Sequence, residues 1–193
     1  MKFIVPLFLS LLASLPTDFQ GQCASPDPLR EPYRLDAALD SRSISFENPT
    51  GERGQGGRAS SNLGVGRKGA PARTMRSGET VTLCNIVGRG TIRHIWITMP
   101  NNPELLRAAV VRAYWDGQTH PSIECPVGDL MGFAHGRVMP YQSAVHSIGQ
   151  NAGMNFWLPM PFAKEARMTF SHEGTGDFPL FYQIDYTLKD RHP

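Results

Sequence analysis

A strict alternation of side-chain character in the middle of the chain most constrains its fold. The run Thr91–Thr98, TIRHIWIT, has the period of a pleated strand and not that of a helix. One side carries Ile92, His94 and Trp96, and the other carries Arg93, Ile95 and Ile97. A second run, Ala108–Trp115, is rich in β-branched and aromatic residues and ends at the turn signal Asp116-Gly117. A third, shorter run follows at Ser122–Cys125.

Runs of the same period recur on both sides of this stretch. They lie at Ser43–Phe46, Thr80–Ile86, Ala166–His172 and Leu180–Leu188. With 19 glycines and 16 prolines, the composition favours many turns and few long helices. The sequence therefore predicts a single all-β domain over residues 43–188, an antiparallel β-sandwich. The side chains expected to be mostly buried are Trp96, Val111, Tyr114, Phe170, Tyr182, Ile184 and Tyr186. Val81 and Leu83 are expected to alternate with Thr80, Thr82 and Cys84.

The amino terminus has the features of a secretory signal. Met1-Lys2 supplies one positive charge, and Phe3–Leu15 is an apolar run too short to span a bilayer. We expect a signal peptide over about residues 1–24, a polar lead-in over 25–42 and a tail over 189–193. The protein should then be secreted or periplasmic, with no membrane span. Lipidation at Cys23 is the alternative, but Gln20–Gln22 fits a lipidation site poorly.

Several functional classes are disfavoured by charge and spacing. The net charge is +2 without a Lys/Arg cluster, so no nucleic-acid partner is expected. Neither CxxC nor a His-based metal motif occurs, which predicts no metal and no cofactor. Cys84 and Cys125 could form a bridge in an oxidising compartment, although two small buried hydrophobes are favoured.

Two segments offer candidate ligand contacts. The stretch 47–69, ENPTGERGQGGRASSNLGVGRKG, holds seven glycines and is either a flexible surface loop or an ordered site loop. In the second interpretation Glu47, Asn48, Glu52 and Arg58 offer donors and acceptors for the hydroxyl groups of a ligand. Trp157, within NFWLPMPF, could stack on a sugar or fill the core. The prolines of that segment predict an edge strand or a kink.

These segments carry a resemblance to a known family. The blocks GRGTIRHIWIT, LRAAVVRAYWDGQTHPSIECPVGDLMG, NFWLPMPFAKEARMTFSHEG and PLFYQIDYTL resemble the amino-terminal half of the bacterial domain-of-unknown-function family 2961. That family includes the family 172 glycoside hydrolases, which act on α-D-fructofuranosides, difructose anhydrides and D-arabinofuranosides. The resemblance implies a jelly-roll sandwich, a furanoside carbohydrate as partner and a role for the loop after the first strand.

The resemblance assigns no catalytic residue to this chain. The family's catalytic glutamates lie in downstream motifs of the type WGEGE and GTEDYF, and neither motif occurs here. The remaining carboxylates have plainer roles as turn or surface groups: Glu47, Glu52, Asp116, Glu124, Asp129 and Asp185. Whether the chain is an enzyme is therefore left open by the sequence.

The sequence leaves two candidate functions. The first is a truncated or split furanoside-acting glycoside hydrolase that is inactive alone, with a downstream-encoded second half or a homo-oligomer as partner. The alternative is a non-catalytic secreted β-sandwich that binds carbohydrate or a partner protein. A half-protein should expose an apolar patch to its partner. The residues expected to contribute to that patch are Phe156, Trp157, Met160 and Phe162.

Overall fold

The computed structural model of the chain describes residues 39–56, 69–133 and 135–189. The signal peptide, the lead-in up to residue 38, Arg58 and the last four residues of the tail lie outside the described residues. Within those ranges the chain forms strands and two short helices, and no helix there is long and apolar enough to cross a membrane.

The elements follow one another in short succession. The strands are β1 (Asp40–Ser45), β2 (Arg73–Met75), β3 (Thr80–Val87), β4 (Gly90–Thr98), β5 (Ala109–Trp115), β6 (Ile123–Pro126), β7 (Tyr141–Gln142), β8 (His146–Ile148), β9 (Met154–Phe156), β10 (Met160–Phe162), β11 (Glu165–His172) and β12 (Phe178–Leu188). The helices are α1 (Pro103–Ala108) and α2 (Val127–Leu130). The first strand begins three residues before its predicted start.

The strands form two antiparallel sheets with nested connections. The large sheet has the order β1-β12-β4-β9-β8-β7, with β10 also paired to β4 and β2 to β12, and the small sheet has the order β3-β11-β5-β6. The chain crosses repeatedly between the sheets, so the first and last strands, β1 and β12, become neighbours. This is the connectivity of a jelly roll. The prediction of an all-β antiparallel sandwich is confirmed.

The core lies between the sheets and includes most of the predicted residues. Val111, Phe170, Tyr182, Ile184 and Tyr186 are buried as expected, at most 4% exposed. Trp96 and Tyr114 are partly buried but do not enter the core. They lie on the outer faces of their sheets, where Tyr114 stacks under the Arg167 guanidinium, 3.7 Å from its ring centre.

A β-bulge in β3 explains a further error. The pairing with β11 skips from Cys84↔Met168 to Thr82↔Thr169, which leaves Leu83 as an extra residue. Leu83 and Cys84 both face the core, 1% exposed each, so the predicted alternation of Leu83 with Cys84 does not occur. The Tyr182 hydroxyl donates a 2.9 Å hydrogen bond across the sandwich to the Leu83 carbonyl. That bond satisfies a buried carbonyl group at the bulge.

A second bulge, in β4, changes which residues share a face. Asp185 pairs with His94 and Tyr186 pairs with Ile92, so Arg93 is the extra residue. Ile92, Ile95 and Ile97 all enter the core, at most 1% exposed. His94 and Trp96 face outward on the large sheet. The predicted grouping of Ile92 with His94 and Trp96 is therefore wrong.

The two described cysteines are free. Cys84 lies on β3 and Cys125 on β6, which are the opposite edges of the small sheet. Three inter-strand spacings separate these edges, about 14 Å. A disulfide needs Cα atoms within about 7 Å. The favoured interpretation, separate thiols, fits Cys84, which is buried, whereas Cys125 is partly exposed.

The aromatic segment at residues 154–162 is divided between core and surface. Phe156, Met160 and Phe162 are 6%, 7% and 4% exposed, so they do not form the expected exposed patch. Trp157 and Leu158 lie in the kink between β9 and β10 and are exposed. Proline is tolerated here because β10 pairs only with β4 and forms an edge.

Candidate functional site

The outer face of the large sheet gathers polar side chains from four neighbouring strands. Side chains on the other face of the same strands, such as Ile44, Ile95 and Ile184, enter the core. The antiparallel register places Ser43, Asp185 and His94 in one row across the sheet, and Ser45, Gln183, Trp96 and Asn155 in the next. We call this set, together with Trp157, the polar face: Ser43, Ser45, His94, Trp96, Asn155, Trp157, Gln183 and Asp185.

His94 is the centre of the polar face. Its Nδ1 lies 2.8 Å from Asp185 Oδ2, and its Nε2 lies 3.1 Å from Asn155 Oδ1. The orientation of the Asn155 amide is fixed because its Nδ2 donates to the Ser147 carbonyl at 3.0 Å. Both ring nitrogens of His94 therefore face oxygen acceptors, and both donate only when the imidazole carries two protons.

The pKa values of the pair move in the directions that this geometry requires. The hydrogen bond with Asp185 raises the pKa of His94, against the effect of burial, and the bond with Asn155 adds to the rise. Burial alone would raise the pKa of Asp185, but hydrogen bonds from His94, Ser43 and Gln183 outweigh it and the pKa is lowered. The arrangement thus favours the charged form of both members of the pair.

Trp157 lies flat against the His94 ring. The ring centroids are 5.2 Å apart, and the planes are inclined by 14°. The Trp157 backbone N–H donates to the Val145 carbonyl at 2.8 Å, which fixes the start of the kink. The residue is 36% exposed. Of the two interpretations of Trp157, a surface position is found and a core position is not.

The loop after β1 holds the other described candidates. The Asn48 amide donates to the Ser43 and Glu52 carbonyls at 3.1 and 3.2 Å, so it closes the loop on itself. Glu47 Oε1 and Asn48 Oδ1 are buried and have no hydrogen-bond partner among the described residues. Glu52 is exposed. The fourth candidate, Arg58, lies outside the described residues.

An ion cluster fixes this loop to β1. The Asp40 carboxylate, 5% exposed, accepts from Arg42 at 2.9 Å and pairs with Arg53 at 2.7 Å. The Arg42 hydrogen bond leads the effects that hold the pKa of Asp40 far below its usual range. Gly51, at φ +65°, packs against Ile44 and Tyr186. The loop is therefore attached to the strand at both of its described ends.

The structure brings Glu47, Asn48 and Glu52 together but places Trp157 elsewhere. Asn48 lies beyond the free edge of β1, whereas Trp157 lies on the β9 side of β4. The two positions are about four inter-strand spacings apart, or about 19 Å along the sheet. The candidate residues therefore form two separate contact areas.

Comparison with known proteins places the chain in a family. The family model described as GH172 domain-like matches residues 69–179, more than half of the chain. The chain belongs to this family. It is a member of a glycoside hydrolase family, as the sequence resemblance predicted.

Similar solved structures are distant from this GH172 member. One is a chain of the capsid asymmetric unit of the cyanophage Pam1, at 10% identity and a TM-score of 0.34, covering 90% of this chain and 99% of that one. Another is from the infectious bursal disease virus Gx strain, at 8% identity and a TM-score of 0.32, covering 80% and 33%. No curated protein matches the chain.

Three further carboxylates of this GH172 member have structural partners. Asp116 accepts three backbone N–H groups, from Ala163, Lys164 and Glu165. Asp129 pairs with Arg107 at 2.5 Å, and Glu124 pairs with Arg112 at 2.7 Å. In the described ranges no cluster of three or more His, Cys, Asp or Glu residues could hold a metal ion.

Sequence reasoning missed the His94–Asp185 pair of this GH172 member. The predicted alternation groups His94 with Ile92 and Trp96, and Asp185 is predicted to be a turn or surface carboxylate. Each is unusual in a strand, and that is the signal the sequence contains. Their contact depends on β4 lying beside β12, which a sequence separation of 91 residues does not reveal.

Proposed function

We propose that this GH172 member binds a furanoside carbohydrate of the α-D-fructofuranoside or D-arabinofuranoside type on its polar face. The observation that carries the proposal is the exposed indole of Trp157, backed by His94 and bordered by hydrogen-bonding groups. Sugar sites combine an aromatic surface for the C–H face of the ring with a few polar groups for its hydroxyls. Gln183, which is exposed, and Asp185 supply such groups.

We also propose that the chain does not hydrolyse furanosides alone. Glycoside hydrolysis normally requires two carboxyl groups, one of them free to exchange a proton with the leaving group. Three carboxylates of the chain already have other roles. Asp116 holds backbone amides, Asp129 pairs with Arg107, and Asp185 pairs with His94. This supports a split or truncated enzyme whose catalytic pair comes from a downstream-encoded second half or another copy. The signal-like residues 1–24 support a place of action outside the cytoplasm.

The same structural roles favour the second candidate, a non-catalytic carbohydrate- or protein-binding sandwich. The two candidates differ in what a partner adds. Mixing the chain with its second half, if one is encoded downstream, should create turnover in the first case and none in the second.

Binding is tested by calorimetry with methyl α-D-arabinofuranoside and a linear arabinofuranosyl oligosaccharide. Trp157→Ala should weaken binding of both ligands about five- to tenfold, because the stacking surface is lost. Leu158→Ala is the matched control, since its side chain is 47% exposed in the same kink and should leave the affinity unchanged. Glu52→Ala should affect only the oligosaccharide, because Glu52 belongs to the distant contact area.

Hydrolysis is tested with a chromogenic α-D-arabinofuranoside or α-D-fructofuranoside. The purified chain should give no turnover. Turnover that disappears in Asp129→Asn or Asp185→Asn would place a catalytic carboxylate in this chain and contradict the proposal. Wild-type affinity in Trp157→Ala would contradict the assignment of the binding face.

A further inference from the structure

Trp157 is held by His94, a residue that no sequence motif singled out. His94 covers one face of the indole, and its own orientation is fixed at two points, by Asp185 on β12 and Asn155 on β9. Asn155 is fixed in turn by Ser147 on β8. A chain of hydrogen bonds thus crosses four strands of the large sheet, from Asp185 to Ser147, and His94 is the member that contacts the aromatic side chain.

The network is complete in only one protonation state of His94. With two ring protons, Nδ1–H donates to the carboxylate and Nε2–H donates to the Asn155 carbonyl oxygen. Loss of either proton leaves two acceptors facing each other, Nε2 against Asn155 Oδ1 or Nδ1 against Asp185. It also removes the attraction between a cationic ring and the electron-rich face of the indole. The position of Trp157 therefore depends on the charge of His94.

We propose that His94 is the positioning residue of the Trp157 surface, and that deprotonation of its imidazolium releases the indole and weakens sugar binding. The raised pKa of His94 is consistent with this role. The consequence for sugar affinity rests on the proposed function. The coupling between His94 and Trp157 does not, and it can be measured without a ligand.

Among the described residues, few charged groups face His94 and could shift its titration. From β12 the facing charged group is Asp185, and β9 and β10 contain no titratable residue. On β4 itself the neighbouring Arg93 donates to Thr187 Oγ1 at 3.1 Å. On β8, His146 stacks on Phe156 and contacts the Leu130 carbonyl at 3.1 Å. Asp185 is therefore the partner whose change should dominate the midpoint.

The test is a pH titration of tryptophan fluorescence in the full chain, taken as the difference between wild type and Trp157→Phe to remove Trp96 and Trp115. A protonated imidazole stacked on an indole quenches its emission, so the Trp157 signal should rise as His94 loses its proton. The ring-preserving variant His94→Phe should give a flat profile. Proton NMR of the His94 ring should show the same midpoint as the fluorescence.

Two substitutions should move the midpoint in opposite directions. Asp185→Asn removes the carboxylate and should lower it, whereas Asn155→Asp places a second carboxylate at Nε2 and should raise it. A purely structural role for His94 predicts no such opposed shifts. A wild-type profile without a Trp157-specific transition, or midpoints that move together in the two variants, overturns the inference.

The sugar experiment separates this inference from the proposed function. Affinity for methyl α-D-arabinofuranoside should fall about two- to fivefold across the same transition, in line with a cation–π contribution. Sugar binding without a fluorescence transition overturns the role of His94 and leaves the binding face intact. A fluorescence transition without sugar binding at any pH overturns the proposed function and leaves the positioning role intact.

Discussion

Asp116 is predicted to stabilise the sandwich as a cap and not to serve as a catalytic group. It follows β5, and its Oδ1 accepts backbone N–H groups of Ala163, Lys164 and Glu165 at 2.9, 2.6 and 3.2 Å. It thereby holds the residues that lead into β11. Its backbone has φ +55°, a left-handed conformation that asparagine and glycine adopt more readily than alanine.

The hydrogen bonds of Asp116 and its left-handed backbone contribute separately to the free energy of unfolding, and three variants distinguish the two contributions. The site is exposed, so each lost hydrogen bond should cost about 0.5 kcal/mol, the lower end of the usual range. Asp116→Gly loses the bonds without backbone strain and should lower the free energy of unfolding by about 1.5 kcal/mol. Asp116→Ala adds about 1 kcal/mol for the left-handed backbone. Asp116→Asn keeps one oxygen acceptor and should lose about 0.5 kcal/mol.

Urea unfolding at neutral pH measures this order. Alanine should be the least stable variant, followed by glycine and then asparagine. A glycine variant as unstable as the alanine variant would contradict the argument from backbone conformation. An asparagine variant as unstable as alanine would contradict the argument from the retained acceptor.

The same variants have a defined pH dependence. The backbone hydrogen bond from Lys164 leads the effects that lower the pKa of Asp116 in the folded protein. A carboxylate with a lowered folded pKa stabilises the fold above its unfolded pKa, and this contribution is lost as the pH falls through the folded value. The gap between wild type and Asp116→Asn should therefore close in acid, below the usual aspartate range. A gap that stays constant through that range and below it would refute the charge-based part of the reasoning.

Other predictions follow from the core, the thiols and the polar face. Gly51→Ala should destabilise the protein by about 2 kcal/mol more than Gly54→Ala in thermal unfolding. Both glycines have positive φ, but only at Gly51 would a Cβ press on Ile44, at 2.8 Å, and on Tyr186. In native protein at pH 8, iodoacetamide should modify Cys125 before Cys84, because burial raises the pKa of Cys84 to about 12. Peptide mapping of the modified protein detects the difference. Asp185→Asn should destabilise the fold most between the lowered pKa of Asp185 and the raised pKa of His94, and the loss should shrink as acid protonates Asp185 or base deprotonates His94. A loss that is equal at all pH values would show that the pair contributes through shape alone.

The fold was predictable from the sequence because most strands keep a period of two, as β11 and β12 do throughout their core positions. The errors lie where that period breaks. Cys84 and His94 each follow a bulge, and a single extra residue reverses the face of everything beyond it. The short strands β7 to β10 have two or three residues, too few for a period to be recognised. The polar face was not predictable because it joins strands that are distant in sequence, and only the strand order brings His94 to Asp185.

The bulge at Arg93 also determines where β4 can lose or gain a residue. Because Arg93 is the one residue of β4 without a counterpart on β12, its deletion would leave a regular ladder in which Ile92, Ile95 and Ile97 still point inward. Deletion of Ile95, two positions further on, would instead turn His94 or Trp96 into the core and expose an isoleucine. Single-residue deletions only two positions apart thus differ sharply in what they do to the molecule. Insertions and deletions accepted during the divergence of such a domain should therefore collect at the bulge and spare the residues that follow it.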